Sequence, residues 1–209
     1  MKNFRRAYYN SFSLYYDKFV SLHSVGAQGT LRKFFSDKVP VKESGFVLDI
    51  CTGTGSLLPY LRTNIGPKGF VVGLDFSRGM LEISQRKTRM HENISLLESD
   101  VAYLPFHGNV FDAVTCTHAF YELKGKTQDR VFREIVRVLK PGRPFLMMEH
   151  DVPKNALIRA MFYIRLFSMG AKRAIHIMRH ERKTLERYFR IVEKIVTPTG
   201  RSKIMLCWS

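Results

Sequence analysis

The chain is poor in the features that stabilise secreted proteins or anchor membrane proteins. Its three cysteines, Cys51, Cys116 and Cys207, are odd in number and far apart, which excludes a disulfide framework and any zinc-type ligand spacing. No bound metal is expected, and a reducing, cytoplasmic setting fits best. No apolar run approaches the roughly 18 to 20 residues needed to span a bilayer. The opening Met1-Lys2-Asn3-Phe4-Arg5-Arg6 is basic but lacks the apolar stretch that completes a signal peptide. Repeats and low-complexity tracts are absent. Acidic residues are scarce: 18 Asp and Glu stand against 34 Lys and Arg, a formal charge of +16. Such a field attracts polyanions or anionic lipid headgroups, so nucleic acid and a membrane surface are both candidate partners beside plain solubility.

What remains is ordinary globular material, 45% hydrophobic and 25% charged over 209 residues, enough for one sizeable core and too little for two ordinary domains. Phe4, Tyr8, Phe12, Tyr15, Phe19 and Leu22 recur at steps of three and four, which predicts an amphipathic helix over residues 3–22. A short helix over 29–37 follows, then a break at Pro40 and Gly45. From residue 46 the pattern becomes short apolar runs separated by segments of helical period. The runs 46–50, 69–74, 111–116 and 144–148 read as buried parallel strands. Helices are expected near 55–63, 78–89 and 127–139, and that alternation is the form of βαβ crossovers in a doubly wound α/β sheet. Residues 191–197 and 202–208 close it as an antiparallel pair around a turn at Thr197-Pro198-Thr199-Gly200.

The densest chemistry follows the first strand, in Val47-Leu48-Asp49-Ile50-Cys51-Thr52-Gly53-Thr54-Gly55-Ser56. Glycines at 53 and 55 let the backbone turn sharply against a ligand at a helix N-terminus, at the strand end where such sheets bind. The second run, Val71-Val72-Gly73-Leu74-Asp75, ends in an acid about 20 residues beyond Gly53, the spacing at which a carboxylate meets ribose hydroxyls. Both features would also suit a nicotinamide or flavin nucleotide. A dinucleotide site, however, needs a third small residue three positions after the second glycine, and that position is Leu58. The ligand should lack a pyrophosphate. A charge as deep as Asp49 would be costly without a compensating role, although bonds to loop amides alone could provide one.

With these motifs, and with Gly73-Leu74-Asp75-Phe76-Ser77-Arg78-Gly79-Met80-Leu81, Asp100-Val101-Ala102-Tyr103-Leu104-Pro105-Phe106, Phe111-Asp112-Ala113-Val114 and Arg137-Val138-Leu139-Lys140-Pro141-Gly142 in order, the chain resembles the class I S-adenosylmethionine-dependent methyltransferases. Within them it is similar to the ubiquinone/menaquinone biosynthesis type. The resemblance implies a Rossmann-like methyltransferase fold with S-adenosyl-L-methionine as cofactor and S-adenosyl-L-homocysteine as product. It implies that Asp49, Thr52, Gly53, Thr54 and Gly55 hold the methionine end and Asp75 the ribose. Phe76 and Met80 would line the adenine, Asp100 would accept from its amino group beside Val101, and Thr117 would face the sulfonium. Tyr16-Asp17 matches a pair carried on an N-terminal lid helix. Arg143 stands where many relatives have a second glycine. The whole chain, 1–209, then divides into a helical lid (1–40), a cofactor-binding core (41–150), a basic apolar helical segment (151–190) and closing strands (191–209).

Methyl transfer from a sulfonium is an in-line displacement, so alignment and exclusion of water matter most, and a base is needed only where the acceptor must lose a proton. His118 and His150, each just beyond a strand, are the candidates to relay such a proton, with Tyr121 as an orienting hydroxyl. Each histidine could equally be held by hydrogen bonds to shape a loop. No Asn-Pro-Pro-Tyr sequence follows the 111–116 run, which disfavours methylation of a planar amino group. Cys116 lacks the Pro-Cys context of a cysteine-nucleophile methylase and reads as a small buried hydrophobe. Asn155 to Met169 is almost continuously apolar, and Arg165, Lys172 and Arg179 then recur every seven residues on one face. That pattern suits transient attachment to an anionic membrane, or a helix buried in the fold with a solvated basic end. No RNA-binding module accompanies the charge. The expected function is methylation, at carbon or oxygen, of an apolar small-molecule or lipid-like acceptor of the quinone-precursor class. The alternatives are a phospholipid-amine N-methyltransferase and a non-catalytic cofactor-binding subunit with a basic partner or RNA face.

Overall fold

A computed structural model describes residues 28–41, 43–120, 123, 125–151, 159, 180–198, 200 and 202–209. The predicted helix over 3–22 with Tyr16, the hydroxyl of Tyr121, and Arg165, Lys172 and Arg179 lie outside them. The elements in chain order are α1 (Gln28–Asp37), β1 (Phe46–Ile50), α2 (Leu58–Ile65), β2 (Phe70–Asp75), α3 (Arg78–Thr88), β3 (Ile94–Glu98), β4 (Ala113–Thr117), α4 (Lys126–Val138), β5 (Pro144–His150), β6 (Ile191–Val196) and β7 (Ser202–Trp208). The strands form one sheet in the order β3-β2-β1-β4-β5-β7-β6. The first five run parallel, and β7 pairs antiparallel with both β5 and β6. This is the doubly wound α/β sheet with a closing antiparallel pair that the sequence predicts.

One strand carries no apolar signature. β3 sits at the end of the strand order, and its residues alternate between half-buried and exposed. An edge position needs no continuous apolar run, so Ile94-Ser95-Leu96-Leu97-Glu98 is missing from the predicted strands, and five parallel strands stand in place of four. The third strand's run also begins later than predicted: Phe111 makes only an isolated bridge to Leu139, and β4 starts at Ala113.

The alternation of side chains along buried strands divides the core in two. Val47, Val71, Ala113 and Leu146 pack with Phe35 of α1 and Leu58, Leu61 and Ile65 of α2 on one face. Leu48, Ile50, Val114, Cys116, Phe145 and Met147 pack with α4 on the other. Val131, Ile135 and Val138, with Phe132, form the apolar stripe of α4, each contributing about 1.5–3 kcal/mol of burial. Asp112 ties this layer to the sheet, accepting from the amide of Phe46 at 3.0 Å and from Lys140 Nζ at 2.9 Å.

The strand order reverses at β1, with β2 and β3 to one side and β4 and β5 to the other. Loops leaving β1 and β4 diverge there and open a crevice at their carboxyl ends, the usual ligand position in such sheets. No helix among the described residues is long and apolar enough to cross a membrane.

Candidate functional site

Asp49 is the fourth residue of β1, 1% exposed, and in register with Thr115 of β4. Its carboxyl accepts from Thr115 Oγ1 at 2.7 Å and from Thr52 Oγ1 at 2.6 Å. The partners are thus hydroxyls, from the neighbouring strand and the following loop, rather than loop amides. Burial pushes its pKa up to about 6, the two hydroxyls oppose that shift, and Asp75 adds to it. A nearby cation would favour the ionised form.

The chain turns just beyond. Gly55 N–H donates to Thr52 C=O at 3.0 Å, and Lys87 of α3 reaches across to Thr54 Oγ1 at 3.0 Å and Ser56 Oγ at 2.8 Å. The two glycines have different reasons to be glycine. Gly53 has φ 56° and open space where a Cβ would stand, whereas at Gly55, φ 69°, a Cβ would lie 1.9 Å from Ser84 Oγ. Gly53 therefore leaves a cradle open on the crevice, and Gly55 lets α3 pack against the loop.

Asp75 closes β2, 5% exposed. One oxygen accepts from the Gly53 amide at 2.8 Å and the other from the Ser77 amide at 2.9 Å. The glycine loop and the β2 end are thereby locked together. Ser77 caps α3 by accepting from the Met80 amide at 3.3 Å. Phe76 is half-buried at the same end and Met80 is buried beneath it. After β3, Asp100 turns the chain by accepting from the Ala102 amide at 3.0 Å, with Val101 buried beside it. Asp49, Thr52, Gly53, Thr54, Gly55, Asp75, Phe76, Met80, Asp100, Val101 and Thr117 thus all fall at the carboxyl ends of adjacent parallel strands.

Across the crevice, Thr117 is the last residue of β4 and His150 the last of β5. His118 follows Thr117 in the left-handed region at φ 53°, and its ring lies 4.5 Å from that of His150, tilted by 33°. A non-glycine residue held there costs of the order of 1–3 kcal/mol. Burial, reinforced by His150 and Arg32, lowers the His118 pKa to about 3, so the imidazole is neutral throughout the physiological range. Its Nδ1 has no protein partner. The two candidate histidines, 32 positions apart in sequence, are one pair in space.

Four more residues bear on the crevice: Cys51, Cys116, Arg32 and Glu149. Cys51 also stands in the left-handed region, at φ 54°. Cys116 is driven well above the ordinary thiol range by its hydrogen bond with Cys51 and by burial, which leaves it protonated and unreactive, the small buried hydrophobe expected. Arg32 of α1 is near enough to His118 for its charge to disfavour the imidazolium. Glu149, 2% exposed on β5, accepts from the Phe120 amide at 2.8 Å. An acid closing the apolar run Phe145-Leu146-Met147-Met148 is the same signal that marks Asp49, and it was available in the sequence.

Residues 4–175 match the model of the ubiE/COQ5 methyltransferase family. The chain is 37% identical over 163 residues to a demethylmenaquinone methyltransferase of Lactobacillus johnsonii, a match covering 76% of this chain and 66% of that protein. It is 31% identical over 163 residues to the ubiquinone/menaquinone biosynthesis C-methyltransferase UbiE of Hahella chejuensis, covering 77% and 65%. The match thus spans just under two thirds of these relatives' length. In fold it is similar to a SAM-dependent methyltransferase from Aquifex aeolicus, with a TM-score of 0.64, 20% identity and coverage of 88% of this chain and 93% of that one.

Proposed function

The chain belongs to the ubiE/COQ5 methyltransferase family, and from that membership we propose that it transfers a methyl group from S-adenosylmethionine to a ring carbon of an apolar quinone precursor. Relatives named for demethylmenaquinone and for C-methylation favour carbon over oxygen and a prenylated quinol over a phospholipid amine. The observation that carries the cofactor half is Asp75, whose oxygens are fixed by the Gly53 and Ser77 amides beside an open glycine cradle. That donor and acceptor set fits the ribose and the charged amino-acid end of a sulfonium cofactor, and Leu58 leaves no room for the close helix approach that a pyrophosphate requires.

In this reading Asp75 accepts from the ribose hydroxyls, while Asp49, ionised when a cation stands near, holds the methionine end with the 52–55 loop. Phe76, Met80, Asp100 and Val101 frame the adenine, and Thr117 faces the sulfonium. When bound, the cofactor supplies an electrophilic methyl group. The chain's own work is to hold the acceptor carbon in line and dry. His118, neutral and with an uncommitted Nδ1, accepts from the acceptor's ring hydroxyl, which enriches the ring carbon in electron density. His150 orients it, and Tyr121 and the Tyr16 lid complete the enclosure. The apolar and basic stretch 151–190 is proposed to bring the enzyme to anionic lipid, where such an acceptor partitions.

Calorimetry tests the cofactor half. S-adenosylmethionine or its demethylated product should bind with micromolar affinity and a nicotinamide dinucleotide should not; equal preference for the dinucleotide would remove the assignment.

A further inference from the structure

Glu149 is a buried acid to which the methyl transfer gives no task. One carboxyl oxygen accepts from the Phe120 amide at 2.8 Å, with the Ala119 amide also directed at the group, and the other oxygen has no protein partner. One residue earlier on β5, Met148 C=O accepts from the His118 amide at 2.8 Å. Two consecutive β5 residues therefore grip both ends of the turn in which His118 is left-handed. No glycine stands among residues 118–120, so the left-handed backbone carries strain that the surrounding structure must hold.

We propose that Glu149 is a positioning residue for the acceptor chemistry: by accepting the amides of the 118–120 turn, its carboxyl group holds the His118 ring against His150 at the mouth of the crevice. This rests on the acceptor-side reading of His118. The group does so as a neutral acid. Burial raises its pKa to about 8, with Glu181 adding to the shift and the Phe120 amide and Lys203 opposing it. The charged or titratable groups around it are Glu181 on the 180–185 helix, Lys203 on β7, Cys116 on β4 and the His118–His150 pair across the turn. Lys203 is already paired with Glu181 and lies 3.7 Å from Asp151, so it is not a dedicated counter-charge for Glu149. Ionisation would strengthen both amide bonds, so the carboxyl group holds the turn in either protonation state.

The test compares Glu149→Gln, which keeps an accepting carbonyl but cannot ionise, with Glu149→Ala in the full chain. Histidine ring NMR, assigned with His118→Asn, follows the His118 titration without any turnover. In the unmutated and Gln proteins His118 should stay neutral to below about pH 5, whereas in the Ala protein it should titrate near the ordinary value of about 6.5. With a short-chain demethylmenaquinol as acceptor, the Ala protein should lose about tenfold or more in kcat with cofactor affinity within about twofold. The Gln protein, which keeps an accepting carbonyl for the two amides, should stay within about threefold of normal. An Ala protein in which His118 still fails to titrate overturns the proposal, as does a folded Gln protein as impaired as the Ala one. If the Ala protein does not fold, the Gln protein decides: a His118 that stays neutral to below about pH 5 supports the role, and one that titrates near about 6.5 refutes it. If the unmutated chain methylates no quinol, the proposed function fails while the NMR comparison still tests the turn.

Discussion

The two halves of the crevice hold their polar groups by different means. At the ends of β1 and β2, Asp49 and Asp75 have donors on both oxygens, drawn from two hydroxyls, one glycine-loop amide and the amide of Ser77, the residue that caps α3. At the ends of β4 and β5, His118 Nδ1 and one oxygen of Glu149 have no protein partner among the described residues, while left-handed backbone occurs in both halves, at Cys51 and at His118. The first half is a finished cradle whose shape is set before a ligand arrives, as expected for a site that binds one fixed cofactor. The second keeps polar atoms at the strand ends unspent, as expected where bonds are made only with an acceptor in place.

The comparison breaks first at the glycine loop. At Gly55 a Cβ would meet the side chain and the backbone Cα of Ser84, at 1.9 and 3.2 Å, in a left-handed conformation. Gly55→Ala should therefore cost about 3–4 kcal/mol of stability, or roughly 10 °C in Tm, and abolish cofactor binding. Gly53→Ala meets open space and should cost only about 1 kcal/mol of strain, so its damage should appear in affinity and not in Tm. Thermal melts of equal size for the two would mean that the loop is not built as described.

Asp75→Ala removes a charge-assisted acceptor together with the clasp between the glycine loop and the β2 end, and should weaken cofactor binding by about 1.5–3 kcal/mol. Calorimetry checks this, and an unchanged affinity would leave Asp75 as a loop clasp only. The smallest effect is one of pH. The folded pKa of Asp49, about 6, lies above the unfolded value of 3.8. In the ligand-free protein its contribution to stability is therefore fully present below about pH 4 and lost as pH rises through 6. Binding of a cationic ligand needs the ionised form, so affinity should rise by up to about tenfold per unit as pH increases toward 6 and then level off. Asp49→Asn should flatten that profile, and a profile that survives the substitution assigns the titration elsewhere.

The same contrast explains what could be read from the sequence. Asp49, Gly53, Gly55 and Asp75 announce themselves because each sits at a strand end inside a short motif, and β1 fixes their relation within a few residues. The β4–β5 half depends on two strands brought together by the long α4 connection, so His118 and His150 could be named singly but not as rings in contact. The left-handed turns at Cys51 and His118 come from where the strands end relative to their neighbours, and neither residue type reports that. β3 escaped because an edge strand, half in water, has no apolar run to show. Glu149 was legible by the rule that singled out Asp49.

Incubation with S-adenosylmethionine carrying an isotopically labelled methyl group and a short-chain demethylmenaquinol, read by mass spectrometry with NMR location of the methyl, tests the central assignment most directly. The account predicts one labelled methyl on the unsubstituted ring carbon and none on phospholipid amines or RNA offered alongside. A label on a ring oxygen or a lipid amine, or no transfer by protein that still binds the cofactor, would contradict it.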